Sequence, residues 1–385
     1  MKKSNLDVLT VSGATSLRKQ LEAPPKLDLA ENVRAAAATS KGHFVGRLVR
    51  AVRGPGRLTP HEFFYYRLYD PALSESALDR FVGKKIQNQM HFTCNDAGWF
   101  AACHDKLLWS TILVGAGLAV PDTVALLGQR TLPGQGISLR STEELTHFIT
   151  DDRNYPLFCK PIDGINSVGA IRIEGIAGDD LIINGGERRP IADLAQFMWS
   201  LSQAGFLLQK VLPPDPALAP ITGTAIPSIR FLALLTGDGP AIESAVIKIP
   251  TKNQVADNFW RHGNMLGAID LSDGTIIRVI VGTASRLKVV EQEPVSGVDL
   301  VGLALPDFQA ARSLCLEAAG HFSGIRTQSW DVALTGGGPV LLEMNFGGDV
   351  NLHQLAHNRG ILSDRYCRHV RACGYKGRLP SIDAV

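Results

Sequence analysis

Features that would assign this chain to a membrane or to a nucleic acid are missing from the sequence. No apolar run approaches the roughly 18 residues that a membrane span requires. No apolar segment follows the charged N-terminal residues, as one does in a signal peptide. The 39 basic and 37 acidic residues leave a net charge of only +2, so no strong positive field attracts nucleic acid. We therefore expect a cytoplasmic protein with no membrane span and no nucleic-acid partner.

Cysteine pairs and the common nucleotide-binding signatures are missing as well. The six cysteines form no CxxC pair, so we expect reduced residues that serve packing. Neither a GxxxxGK[ST] motif nor a GxGxxG motif after a strand occurs, which excludes a P-loop and a Rossmann fingerprint. With 45% hydrophobic and 20% charged residues, the composition is that of an ordinary globular protein. A chain of 385 residues has room for two or three domains.

The most informative stretch is a glycine-rich hairpin over residues 328–345, where two apolar, β-favouring runs flank a turn. Folding it about Gly337 places Asp331 opposite Glu343, with Asn345 on the same face as Glu343. Two carboxylates directly opposite each other repel, which favours a bound cation between them. Carboxylate and amide oxygens suit magnesium (Mg²⁺), with Mn²⁺ as a substitute. The alternative is an exposed turn whose acidic side chains point to water.

A lysine closes an apolar strand at residue 160 and precedes a loop with glycine, asparagine and serine. A buried lysine is costly unless an anion pairs with it. The backbone N–H groups of such a loop can bind phosphate oxygens, so Lys160 and Ser167 are candidate phosphate-binding residues. A lysine that merely extends to the surface is an equally good interpretation.

Two further cations, Arg230 and Lys248, lie inside apolar strands and therefore need anions. The hairpin carboxylates, a metal-bound phosphate or an acidic substrate would serve, and a structural salt bridge is the alternative. The chain becomes polar after Lys248, and this loop is predicted to face the substrate through Asn258 and His262. A strand over residues 207–212 ends before a proline-rich break and can present backbone groups to an adenine ring. Ordinary strand-to-loop punctuation explains that strand nearly as well.

Taken in order along the chain, these pieces resemble the ATP-grasp enzymes. Lys106 opens a helix, Lys160 closes a strand before a glycine-bearing loop, and the pair Asp331 and Glu343 closes the series. The similarity covers residues 104–350, and softer motifs over 250–259 and 348–360 resemble the sugar-transfer-associated ATP-grasp group.

The resemblance implies an α+β fold in which two α+β subdomains clamp ATP, behind a largely helical N-terminal region. The expected boundaries are 1–103 for the helical region, 104–212 for the lysine-bearing subdomain and 213–385 for the subdomain with the hairpin and a helical tail. The residues implied to contact the nucleotide are Lys106, Lys160, Ser167, Gln209, Lys210, Val211 and Leu212. Asp331, Glu343 and Asn345 are implied to bind magnesium, and Arg230 and Lys248 to face the transferred phosphoryl group. The hinge departs from the family pattern, because Gln209 stands where an acidic residue is usual.

The activity that the resemblance implies is ATP-dependent ligation of small molecules. A substrate carboxylate would be activated as an acyl phosphate, and an amine, or else a thiol or hydroxyl, would displace the phosphate in glycan or secondary-metabolite assembly. One alternative is a kinase of the same fold that phosphorylates a sugar or polyol hydroxyl. Another is a nucleotide-binding module without catalysis. The oligomeric state is left open.

Overall fold

The structure of the chain, a computed structural model, describes residues 27–40, 42–131, 134, 136–164, 169–252, 259, 263–346, 348 and 350–381. The predicted site residues Ser167, Asn258 and His262 lie outside the described residues. The α-helices are α1 (Leu29–Ser40), α2 (Phe44–Arg53), α3 (Pro60–Tyr65), α4 (Glu75–Leu78), α5 (Lys84–Cys94), α6 (Phe100–His104), α7 (Lys106–Gly115), α8 (Thr142–Ile149), α9 (Ile191–Ser200), α10 (Ala219–Thr222), α11 (Phe308–Gly320), α12 (Val350–His357) and α13 (Asp364–Ala372). No helix in these ranges combines the length and the apolar character needed to cross a membrane.

Within the described residues, the strands form two sheets of seven strands each. The N-terminal sheet has the order β2-β1-β7-β3-β4-β5-β6, and the C-terminal sheet has the order β12-β11-β10-β9-β8-β13-β14. The strands are β1 (Thr123–Leu127), β2 (Ile137–Leu139), β3 (Leu157–Pro161), β4 (Ile171–Ala177), β5 (Asp180–Ile183), β6 (Glu187–Pro190), β7 (Phe206–Lys210), β8 (Ser228–Thr236), β9 (Gly239–Ile249), β10 (Met265–Ile269), β11 (Ile276–Val281), β12 (Lys288–Val290), β13 (Thr327–Thr335) and β14 (Gly338–Phe346). The neighbouring strands pair antiparallel, except for the parallel pair β1 and β2.

The C-terminal sheet is covered on both faces. On one face Phe231 and Trp330 pack with apolar residues of α7 and α11. On the other face Val246 and Leu266 pack against the aromatic-rich N-terminal helices. Each large apolar side chain buried in this way contributes about 1.5–3 kcal/mol. A strand covered on both faces can carry a charged side chain only if that charge is paired.

Helix α7 connects the two sheets. Its Leu107 packs with Leu126, Ile162 and Leu207 of the N-terminal sheet and its flanking loop. Two residues later, on the opposite side of the helix, the buried Trp109 belongs to the core of the C-terminal sheet. The first residue of α7 is therefore held at the junction of the two sheets.

The hairpin of β13 and β14 pairs Asp331 with Glu343, as predicted from the sequence. The predicted pivot at Gly337 is wrong, because Thr335 pairs with Gly338 across a two-residue turn. The register shifts beyond Asp331, where Val332 pairs with Leu341. One extra residue in β14 forms a β-bulge there and offsets the shorter turn. The tail is helical, as predicted, and consists of the two helices α12 and α13.

Candidate active site

Asp331 lies at the centre of a buried ionic network. Arg230 Nε donates to Asp331 Oδ1 at 2.7 Å, and Arg230 Nη2 donates to Oδ2 at 2.7 Å. Lys248 Nζ donates to the same Oδ2 at 3.0 Å. The register explains this convergence, because Arg230 pairs directly with Asp331 and Lys248 pairs with Ser228, two residues along β8. The side chains of Asp331 and Lys248 are only 5% and 7% exposed.

Asp331 is ionised in this network. Burial alone would raise the pKa of its carboxyl group, but the charges of Arg230 and Lys248 outweigh burial and hold that pKa below its usual value. A bidentate arginine–carboxylate pair of this kind fixes both geometry and charge.

Lys106 joins the same region from helix α7. It is the first residue of α7, where Asp105 caps the helix by accepting from the N–H groups of Leu107 and Leu108. Lys106 Nζ donates to the carbonyl groups of Gly164 and Ile162 and lies 3.2 Å from Glu343 Oε1. The loop after β3 and strand β14 therefore meet at this buried ammonium group. We call Lys106, Arg230, Lys248, Asp331 and Glu343 the charged cluster.

Polar atoms beside the charged cluster lack partners. Asn345 Nδ2, Ser329 Oγ and His353 Nε2 are buried, and none has a hydrogen-bond partner within the part of the chain that the structure describes. Unpaired buried polar groups cost about 1–3 kcal/mol each, so such a group next to a cavity indicates a ligand. Asp331, Glu343 and Asn345 together offer hard oxygen donors, and this donor set fits Mg²⁺.

His353 was not predicted from the sequence. It lies on α12, where its Nδ1 is 2.9 Å from Ser244 Oγ. Burial, with the positive neighbours His357 and Arg230, lowers the pKa of His353 well below its usual value, although Asp331 opposes this effect. The imidazole is therefore neutral at pH 7. The signal for it was weak, because a histidine inside a helical tail is usually a packing residue.

A cavity of about 250 Å³ opens beside the charged cluster, between α5, the start of α7 and β14. Its basic lining residues are Lys84, His91, His104, Lys106 and Arg230, whereas Glu343 is its acidic one. Gln87 of α5 also lines it and donates to the Gly348 carbonyl group at 2.8 Å. No site residue was predicted from the sequence on α5. The spacing of positions 84, 87 and 91 along one helical face was the available signal.

The remaining predicted residues lie on the N-terminal sheet. Lys160 Nζ lies 5.8 Å from the ring centroid of Phe158 on the same strand. Gln209 is buried and donates to Thr123 Oγ1 at 2.9 Å. Lys210 is exposed and pairs with Asp122 at 3.1 Å. These contacts are ordinary features of a strand and its edge.

The backbone of the predicted hinge is partly occupied. The Lys210 N–H donates to the Asp122 carbonyl group at 2.9 Å, and the Val211 N–H donates to the Pro156 carbonyl group at 3.4 Å. Leu212 is the next residue, and its N–H donates to no group in the described ranges. Of the backbone N–H groups of Lys210, Val211 and Leu212, that of Leu212 alone has no acceptor within those ranges.

Comparison with known proteins identifies the family. The model of the family described as "Sugar-transfer associated ATP-grasp" matches residues 85–370. The chain belongs to this family, and its two sheets with their covering helices form an α+β ATP-grasp fold. The predicted fold and family are confirmed. A search of curated proteins finds no match.

Solved structures resemble the chain more distantly. The ATP-grasp ligase PsnB, complexed with a minimal precursor, is 16% identical with a TM-score of 0.36, covering 72% of this chain and 64% of that chain. The ADP complex of purK, an N5-carboxyaminoimidazole ribonucleotide synthetase, is 12% identical with a TM-score of 0.41, covering 73% and 54%. A biotin carboxylase–ATP complex from Campylobacter jejuni is 12% identical with a TM-score of 0.41, covering 78% and 52%. The chain thus spans between half and two thirds of these structures, and likenesses this weak say nothing about its substrates.

Proposed function

We propose that the protein is an ATP-dependent ligase that activates a small carboxylic acid as an acyl phosphate. The observation that carries this proposal is the convergence of five buried or half-buried charges, four from the C-terminal sheet and Lys106 from α7, beside a basic cavity. Buried charges cost several kcal/mol each unless they are paired. Three cations against two carboxylates leave an excess of positive charge, which suits a triphosphate and an acidic substrate.

The nucleotide and metal would be held from two sides. Lys106 and Lys160 would contact phosphate oxygens, and the Leu212 N–H would contact the adenine. Asp331, Glu343 and Asn345 would hold Mg²⁺, which supplies charge neutralisation on phosphate oxygens when bound.

The chain would act by positioning and electrostatics. An oxygen of the substrate carboxylate attacks the γ-phosphorus of ATP, and the bond between this phosphorus and the bridging oxygen breaks as ADP leaves with the electron pair. An amine nitrogen then attacks the acyl carbon, inorganic phosphate leaves and the amine loses a proton to water. Arg230 and Lys248 offset the negative charge that develops in both steps, so no side chain needs to act as a covalent nucleophile.

The cavity is the proposed seat of the acid. Its volume of about 250 Å³ is smaller than the roughly 300–1,000 Å³ that drug-sized ligands occupy, so it suits a small acid or one end of a larger one. Its basic residues favour a carboxylate over a neutral alcohol. This charge preference is what supports a ligase over a kinase acting on a sugar hydroxyl.

To test this proposal, the purified chain is incubated with MgATP, hydroxylamine and a panel of small carboxylic acids and polyols, and the products are analysed. A ligase releases ADP and inorganic phosphate and forms a hydroxamate only when an acid is present, because hydroxylamine traps the acyl phosphate. A kinase instead forms a phosphorylated polyol and no hydroxamate. Absence of MgATP binding in calorimetry would overturn both activities.

A further inference from the structure

A second group of chemically reactive side chains lies away from the cavity, where α5 meets α13. Cys94 is the last residue of α5, and Cys373 directly follows α13, one helical turn after His369. Their potential ligand atoms all lie within 4.8 Å of one another. Among the described residues, no other group of three or more histidine, cysteine or acidic side chains converges in this way.

The distances match those around a tetrahedral zinc ion. Zinc lies about 2.3 Å from sulfur and about 2.0–2.1 Å from nitrogen, so two such ligands at a tetrahedral angle are about 3.6 Å apart. Cys373 Sγ lies 3.7 Å from His369 Nε2. An i, i+4 pair on one helix face holds two ligands at this separation without further adjustment.

The surroundings hold these groups in place. Asn95, next to Cys94, accepts from the Thr327 N–H at 2.9 Å and donates to the Thr327 carbonyl group at 3.0 Å, which fastens the end of α5 to β13. Thr327 Oγ1 lies 3.0 Å from His369 Nε2. A zinc ion at Nε2 would use the single lone pair of that nitrogen, so it would replace the Thr327 hydroxyl as the partner of Nε2.

The geometry points to a zinc site formed by Cys94, His369 and Cys373. Two sulfurs and one imidazole nitrogen are the soft and borderline donors that select zinc over magnesium, so this site is chemically separate from the oxygen donors of the hairpin. Cys94 and His369 are each 4% exposed, whereas Cys373 is partly exposed. The ion can therefore enter past Cys373, and a water molecule can complete its fourth position.

Such an ion would fix the wall of the cavity. It joins the end of α5 to α13, and α5 carries Lys84, Gln87 and His91 along the cavity. The site would therefore act by stabilising the orientation of α5 against the C-terminal sheet, without contacting the reacting groups.

The test is metal content and its dependence on each ligand. The full chain is purified under reducing conditions, dialysed, and measured for zinc by mass spectrometry and for cobalt substitution by thiolate-to-cobalt charge-transfer absorption. We expect about one zinc per chain, and at least a tenfold loss of zinc in Cys94→Ser, His369→Gln and Cys373→Ser. Cys367→Ser is the matched control, because Cys367 is buried on the same helix but outside the group. It should retain zinc and the cobalt spectrum.

A second measurement, of thermal stability, tests the site even if the ligand variants do not fold, because it uses the wild-type chain and Cys367→Ser. A strong chelator should lower the Tm of the wild-type chain and of Cys367→Ser, and added zinc should restore it. A folded wild-type chain that takes up neither zinc nor cobalt would overturn the site. So would a Cys94–Cys373 disulfide found by mass spectrometry in the chain purified without reductant, if reduction then restores no metal binding. None of these readouts depends on ATP or on the proposed ligase activity.

Discussion

The charged cluster on the C-terminal sheet and the predicted hinge on the N-terminal sheet are held together by different physics. In the charged cluster, Asp331 is 4% exposed and each of its oxygens is bound by a cation. At the hinge, Lys210 is exposed and Gln209 satisfies its amide on a neighbouring strand. The charges of the cluster have no explanation in packing alone, whereas the hinge contacts are those of any strand.

This difference determines which residues can be assigned to a functional site from the structure. Removing a charge from water costs several kcal/mol, so a chain that wholly or partly buries five of them is under a constraint that packing does not impose. An exposed ion pair costs and contributes little, and therefore carries little information.

The largest expected effect is on the stability of the cluster itself. Asp331→Asn should lower the free energy of unfolding by about 3–5 kcal/mol, because it leaves Arg230 and Lys248 buried without their anion. Urea unfolding measures this loss, and Asp238→Asn, an exposed carboxylate in the β8–β9 turn, is the control. A loss of less than about 1 kcal/mol would mean that Arg230 and Lys248 do not need Asp331 as their anion. The charged cluster would then not differ from the hinge in how strongly its ion pairs stabilise the fold.

Glu343→Gln should separate activity from stability. Glu343 is 31% exposed at its side chain, and Lys106 keeps its carbonyl partners Ile162 and Gly164 when Glu343 is neutralised, so we expect a smaller loss of stability than in Asp331→Asn. If it holds Mg²⁺, we expect kcat for ADP formation to fall by about 100-fold to 1,000-fold, which corresponds to about 2.7–4 kcal/mol. Glu317→Gln, an exposed glutamate on α11, should leave kcat unchanged. Near-normal turnover in Glu343→Gln would remove the metal role from this carboxylate.

Acid should destabilise the region around the cluster through His353 and His357. Their pKa values are lowered in the folded chain, mainly because burial disfavours the charged imidazole. The unfolded chain therefore binds more protons below about pH 6.5, so this share of stability is complete above that pH and is lost as pH falls. Denaturation between pH 7.5 and 5.5 should show a slope approaching about 1.4 kcal/mol per pH unit for each histidine. His353→Gln should reduce the slope and exposed His147→Gln should not.

Lys84 and Lys85 provide an internal comparison on α5. Both are exposed, but Lys84 lines the cavity and Lys85 does not. Once an acid substrate is found, Lys84→Gln should raise its KM by about tenfold, the equivalent of about 1.4 kcal/mol, with kcat little changed. Lys85→Gln should leave KM within about twofold. Equal effects would indicate long-range attraction by net charge, with no contact in the cavity.

The smallest effect should come from the hinge. Lys210→Gln removes an exposed ion pair with Asp122, which is worth about 0–1 kcal/mol, and its backbone N–H is occupied in any case. Nucleotide affinity measured by calorimetry should stay within about threefold of wild type. A tenfold loss would make the Lys210 side chain a nucleotide contact and would bring the hinge into the same class as the cluster.

Local sequence patterns predicted most of the strands and the hairpin. The apolar, β-favouring runs predicted β8, β9, β13 and β14 close to the strands observed, and folding the hairpin about its glycine-rich turn predicted the pairing of Asp331 with Glu343. The predicted pivot at Gly337 was wrong because the strands contain a bulge near Leu341, which shifts the turn by half a residue. A bulge depends on packing against neighbouring elements and is not visible in the local pattern. The boundaries predicted at residues 103 and 212 stay predictions, as do the roles of Ser167, Asn258 and His262.

The residues of the site also divide into those that the sequence predicted and those that only the structure revealed. By itself, the sequence determined which charges would need partners, because Arg230, Lys248 and Asp331 stand inside apolar strands where an unpaired charge is too costly. Only the tertiary structure decided which partners they have and that Lys84, His91 and His353 join them from α5 and α12. The reason is physical: burial along a strand is a local property of the pattern, whereas the approach of two helices to a sheet depends on contacts between residues more than 100 positions apart.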